Sequence, residues 1–150
     1  MSKERVSYAE ACKFDGKVLE LRGYIQKGFC DVISIHDKDY SIELCDIIKD
    51  TFECDVNRHG EDLDEVEEIA LSNVNLRMFF SDKRCTFEEC EDKLIQVMDG
   101  DLDIRQETFG YSEFTIICFY PEKMQLGGHD ILSLLESNSN KYVCMRIEKM

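Results

Sequence analysis

Short stretches of alternating apolar and polar residues stand at both ends of this chain, and two acid-rich stretches with helical spacing stand between them. That order limits the folds available. Lys17–Ile25 alternates, with Val18, Leu19, Leu21 and Ile25 set among Lys17, Glu20 and Arg22, and reads as a strand. Phe29–His36 and Tyr40–Cys45 read as two more strands around the polar turn Asp37-Lys38-Asp39. Leu102–Phe109 and Glu113–Tyr120 read as a hairpin around Gly110, Met124–Leu126 as a short extended piece, and Lys141–Ile147 as the last strand. In the middle, Asp62-Leu63-Asp64-Glu65 opens a helix in capping-box style. Leu63, Val66, Ile69 and Ala70 recur there at helical spacing, Asn73 stops the helix, and Val74–Phe80 follows as a strand. Thr86-Phe87-Glu88-Glu89 is another capping box, with Phe87, Cys90, Leu94 and Val97 on one face of a helix that ends near Gly100. Short helices are expected at Tyr8–Lys13, behind Ser7, and at Ile131–Glu136; Asp46–Phe52 fits a strand or a helix. Strict β/α alternation is absent. The expected fold class is therefore α+β: a single domain over residues 1–150, a mostly antiparallel sheet with two or three helices packed on one side.

The chain has 150 residues and one proline, Pro121, with no Ser/Gly- or Pro-rich linker, which fits one domain. Its longest apolar run, Ile116–Tyr120, is far short of the ~18 residues that span a membrane. No apolar stretch follows the charged start Met1-Ser2-Lys3-Glu4-Arg5, so a cytoplasmic location is expected. Eight cysteines stand at positions 12, 30, 45, 54, 85, 90, 118 and 144. None forms a Cys-x-x-Cys and none has a histidine at zinc-finger spacing. Most lie in apolar segments such as Val143-Cys144-Met145, where a reduced thiol acts as a small hydrophobe.

Charge is distributed very unevenly. The net charge is −14, and between Asp37 and Asp103 there are 21 acids against seven bases. The rest of the chain holds 11 of each, so the whole excess belongs to the middle. Such a chain lacks the basic stripe of a general nucleic-acid binder, and an anionic membrane surface repels it. No direct nucleic-acid or membrane contact is expected. If the two middle stretches are helices, their apolar residues face the core and their acids face solvent about one turn, ~5.4 Å, apart. Phosphates rise ~3.4 Å per strand in duplex DNA. Acidic helices of this kind approximate a phosphate row and suit the basic groove of a nucleic-acid-binding protein, for example a nuclease effector. The candidate partner-binding residues are Asp64, Glu65, Glu68, Glu88, Glu91 and Asp92, with Asp99, Asp101 and Asp103 behind them. The plainer reading is a solvated surface, with acids placed to suit helix N-termini.

No catalytic set stands out, so an enzyme, a cofactor and a metal are not expected. Asp99-Gly100-Asp101-Leu102-Asp103 begins like a calcium loop, but loop positions 6 and 12 are Ile104 and Gly110 instead of Gly and Glu. An alternative site is the turn Gly127-Gly128-His129-Asp130, where backbone amides ahead of a helix could receive a small anionic ligand such as a nucleotide signal, with Arg105, Lys141 or Arg146 supplying positive charge. The plainer reading of that turn is glycine at positive φ and Asp130 as a helix cap. The late aromatics Phe109, Tyr111, Phe114, Phe119 and Tyr120 read as core, because few bases accompany them. In overall profile the chain is similar to many phage- or mobile-element-encoded inhibitors, including anti-CRISPR proteins. That similarity is one of composition and rests on no particular residue. It implies a non-enzymatic acidic inhibitor that acts as a DNA mimic through protein–protein contact.

Overall fold

A computed structural model describes residues 4–6, 11–14, 17–27, 33–37, 40–61, 64–90, 93, 96–110 and 117–150. Its strands are β1 (Glu4–Val6), β2 (Ala11–Phe14), β3 (Val18–Lys27), β4 (Ile33–Asp37), β5 (Tyr40–Glu43), β6 (Asp55–Glu61), β7 (Asp64–Ser81), β8 (Gln96–Gly110), β9 (Ile117–Leu126), β10 (His129–Asp130) and β11 (Tyr142–Lys149). Three short helices interrupt them: α1 (Leu44–Thr51), α2 (Phe87–Cys90) and α3 (Ile131–Ser137). Among the described residues every strand pairing is antiparallel. The sheet runs β1-β2-β3-β11-β7-β8-β9-β10, with β4 and β5 continuing from β3 and β6 joining β7. The last strand of the chain is thus the seam. Cys144 of β11 stands between Arg22 of β3 and Phe79 of β7, tying the early hairpins to the middle of the sheet.

This is a β-rich fold, and the α+β expectation is overturned. The 62–73 helix does not exist: Asp64–Ser81 is one 18-residue strand. Its inward positions are Glu67, Ile69, Leu71, Val74, Leu76 and Met78, which is strand alternation with one slip. The slip is a bulge between Leu71 and Val74, where Asn73 takes φ 55°. Asn73, expected to stop a helix, instead sits at a bulge within a strand. Of the second middle helix the described residues show the four of α2, and its expected face residue Val97 lies exposed on β8, while Leu94 lies outside the described residues. The Thr86 capping box is present: Glu89 N–H donates to Thr86 Oγ1 at 3.2 Å and Thr86 N–H to Glu89 Oε1 at 3.3 Å. Ala11–Phe14 is a strand where a helix over Tyr8–Lys13 was expected. The ambiguous Asp46–Phe52 stretch resolves as α1, which buries Leu44, Cys45, Ile47, Ile48 and Thr51 at helical spacing.

One large core holds the sheet together. It takes Leu19, Leu21 and Ile25 from β3, Ile69 to Met78 from β7, Leu102 and Ile104 from β8, and Val143, Met145 and Ile147 from β11. α1 and α3 add Leu44, Ile47, Ile48, Ile131 and Leu135 to it. At eight and seven residues these helices add a few side chains to the core and are too short to form a second layer. On the other side of β11 a smaller cluster gathers Cys85, Tyr142 and Cys144, with Tyr24, Phe79 and Phe87 against it. Among the described residues no helix is long and apolar enough to cross a membrane.

Candidate functional site

Strand alternation sorts the acids of β7 and β8 onto two faces. Outward on β8 lie Asp99, Asp101 and Asp103, all exposed, with the buried Met98, Leu102 and Ile104 interleaved. Alternate residues of a strand stand ~6.8 Å apart and share a face, so the three carboxylates form a row. In register beside them, Asp103 faces Ala70 and Arg105 faces Glu68 on β7, while Asp55 of β6 flanks Ala70 from the far side. Cross-strand partners share a face. Small Ala70 therefore floors a groove of about 530 Å³ with Asp55 on one wall and Asp103 on the other.

The row is open at one end and neutralised at the other. Among the described residues no cation pairs with Asp99, Asp101 or Asp103. Among the described residues the carboxylates of the row make one hydrogen bond: Asp101 Oδ1 accepts the Asn73 N–H of the bulge at 3.2 Å. Beyond Asp103 the pattern changes. Arg105 donates to Glu122 at 2.8 Å and lies 3.4 Å from Glu68 and 3.5 Å from Glu107.

The expected partner-binding residues separate accordingly. Glu68, Asp99, Asp101 and Asp103 meet on one outward face, on strands instead of helices. Asp64 is the first residue of β7 and pairs with Glu61 of β6. Glu65 has inward parity and is half-buried. Glu88 is exposed on α2, whose Phe87 packs against the Tyr142–Cys144 cluster beside Phe79 of β7. Glu91 and Asp92 lie outside the described residues.

The inward face holds an acid that the sequence reading passed over. Glu67 is 1% exposed and bridges four elements. It accepts from Lys49 of α1 at 2.8 Å, Arg58 of β6 at 2.6 Å and Gln106 of β8 at 3.0 Å. Burial alone would raise its pKa, but the hydrogen bonds from Lys49 and Arg58 outweigh burial and hold it below the usual carboxylate range. It borders an open cleft of about 570 Å³ with Asp46, Asp50 and Lys49. Next to that cleft, Glu43 precedes α1. Burial, then the nearby Asp46 carboxylate, pushes the Glu43 pKa up to about 7. The missed signal was an acid at an inward position in Glu65-Val66-Glu67-Glu68-Ile69-Ala70-Leu71.

The alternative turn is well ordered by its own contacts. Gly127 and Gly128 have φ 55° and 87°, and Gly127 N–H donates to the Asp101 carbonyl at 3.2 Å. Asp130 caps α3: its carboxylate accepts from Ser133 N–H at 3.0 Å and Ser133 Oγ at 2.8 Å, which lowers its pKa. The cap carboxylate stands where an incoming anion would go. Arg105 is engaged with Glu122, and Arg146 lies 3.3 Å from Glu148. Among the described residues no group of three or more His, Cys, Asp or Glu side chains is placed to hold a metal ion. No protein-family model, no curated protein and no solved structure matches this chain.

Proposed function

We propose that this chain is a non-enzymatic acidic binding protein whose β8 face, Asp99-Asp101-Asp103 with Asp55 and Glu68 beside it, occupies a basic groove on a nucleic-acid-binding protein and excludes the nucleic acid. The observation that carries this reading is the row itself: three exposed carboxylates on one strand with no cation of their own among the described residues. A carboxylate every ~6.8 Å provides one charge for every two phosphates of a DNA strand, whose rise is ~3.4 Å. The mimicry is thus that of the face of a strand and not of a helix face. Complementary charge of this kind speeds the encounter and sets the partner's orientation. A nuclease effector is the partner class that the compositional similarity to mobile-element inhibitors suggests.

The test uses tagged full-length protein as bait on bacterial lysate, a salt-gradient elution, and mass spectrometry. Basic nucleic-acid-binding proteins are expected to elute at moderate salt, because the screening length shrinks from ~10 Å at 0.1 M to ~3 Å at 1 M. The variant Asp99→Lys/Asp101→Lys/Asp103→Lys is expected to lose them. A control with the same change in net charge, Asp82→Lys/Glu88→Lys/Glu136→Lys, is expected to keep them. Equal loss in both variants would reduce the row to a contribution to net charge, and capture unaffected by the first variant would remove it from the interface.

A further inference from the structure

The small cluster behind β11 contains a feature that the acidic face does not use. Cys85 and Cys144 are 59 residues apart in sequence, yet their sulfurs lie 3.5 Å apart, and both thiols are buried. Cys144 sits at the seam of the sheet, fully enclosed, while Cys85, just ahead of α2, is 9% exposed. Two further contacts hold the pair in register. Arg22 Nη1 donates to the Cys85 carbonyl at 2.9 Å, and the Cys144 Sγ lies 3.8 Å from that same carbonyl. Tyr24, Phe79 and Phe87 pack around them.

From this geometry we infer that Cys85 and Cys144 are a site of reversible oxidation, joined to a disulfide by a low-molecular-weight disulfide such as oxidised glutathione. The sulfurs need approach by only about 1.5 Å to reach the ~2.05 Å bond. The chemistry balances by thiol–disulfide exchange. Cys85, the more accessible thiol, loses its proton and attacks one sulfur of the small disulfide, releasing one small thiol. The Cys144 sulfur, deprotonated in turn, displaces the second small thiol from Cys85. The protein loses two hydrogens and the small disulfide is reduced to two thiols. At Cys45 and Cys54, the other two cysteines whose side chains are described, the chemistry is disfavoured. Burial pushes the Cys45 thiol up to about 12 and raises that of Cys54, so both are held in the unreactive protonated form. The new bond pins the turn after β7 and α2 to the seam strand, closing a long loop of the chain. Such loop closure raises thermal stability.

The full chain is incubated with oxidised glutathione at pH 8, then mapped without reduction. Cleavage after Arg84, Lys93, Lys141 and Arg146 isolates residues 85–93 and 142–146, and fragment ions separate Cys85 from Cys90. The expected result is a mass loss of two hydrogens, a Cys85–Cys144 cross-link, and a Tm raised by roughly 5–10 °C. Dithiothreitol reverses all three, and Cys85→Ser shows none of them. A persistent glutathione adduct without a cross-link, a cross-link between other cysteines, or no reaction would overturn the proposal. Should Cys85→Ser fail to fold, the map of the unaltered protein decides alone.

Discussion

The two faces of the β7–β8 ribbon treat the same residue type in opposite ways. Inward, one acid, Glu67, is sealed from water and answered by Lys49, Arg58 and Gln106. Outward, Asp99, Asp101 and Asp103 stand in water and none of them is ion-paired among the described residues, with Lys123 sharing the groove that Asp103 lines. A buried carboxylate has to be paired, because an unpaired one costs several kcal/mol. An exposed carboxylate need not be, because water solvates it. The lesson is that acid count says little about role; the parity of the position along the strand decides it. The inward acid locks four elements together, and the outward acids are free to meet something else.

The largest effect is expected at the inward acid. Glu67→Ala removes the acceptor of the buried Gln106 and leaves the quarter-exposed Lys49 with the Asp46 carboxylate 3.8 Å away, and an expected loss of ~3 kcal/mol follows in urea denaturation. Single Asp99→Ala or Asp103→Ala changes should stay within ~0.5 kcal/mol by the same assay. A similar cost on both faces would erase the distinction.

Next comes the support of the outward row. Gly127 lies against the backbone of Asp99, and a Cβ there would press on the Asp99 carbonyl oxygen. With φ 55° added, Gly127→Ala is expected to cost ~2 kcal/mol, read from the urea midpoint. Gly128, also at positive φ, has open space around its Cβ, so Gly128→Ala should cost less, ~1 kcal/mol.

A smaller effect separates two acids near the same cleft by the sign of their pH dependence. Glu67 is held below its ordinary value, so its stabilisation is full above about pH 4.5 and fades as pH falls through its lowered folded-state pKa. Glu43 is raised from 4.5 to about 7, so folding favours its protonated form, and its contribution declines as pH rises from 4.5 through 7. Glu43→Gln should therefore stabilise the protein at pH 8, on the order of 1 kcal/mol after allowing for its half exposure, and the gain should vanish near pH 4.5. Stability curves of both proteins against pH check the sign.

Much of the sheet was legible in the sequence because its strands show their alternation locally. Val18–Lys27, the hairpin of Ile33–Asp37 with Tyr40–Glu43, and Tyr142–Lys149 all stand close to where the pattern put them. So do the Thr86 and Asp130 caps, which need only neighbours three residues away. The middle was misread for a physical reason. Glu67 occupies an inward position, so an apolar stripe with an acid in it resembles the polar face of a helix. Its partners Lys49, Arg58 and Gln106 are 18, nine and 39 residues distant, and no local pattern announces them. The bulge at Asn73 then shifts the alternation by a residue and hides the continuation into Val74–Ser81. Of the candidate site, Asp99, Asp101 and Asp103 were legible as acids but not as a row, because the row exists only if β8 is a strand.

The account rests on that row being charge without a counterpart, and one measurement tests this most directly. Neighbouring carboxylates ~6.8 Å apart in water repel by ~0.6 kcal/mol per pair before screening. Urea titrations of the unaltered protein and of Asp99→Asn/Asp101→Asn/Asp103→Asn, at low salt and at about 1 M salt, compare the two states. Asn keeps an acceptor for the Asn73 N–H, so only charge is removed. The account predicts a variant more stable by on the order of 0.5–1 kcal/mol at low salt, with the gain gone at high salt. A variant less stable than the parent would contradict it, because the aspartates would then be holding the fold instead of facing a partner.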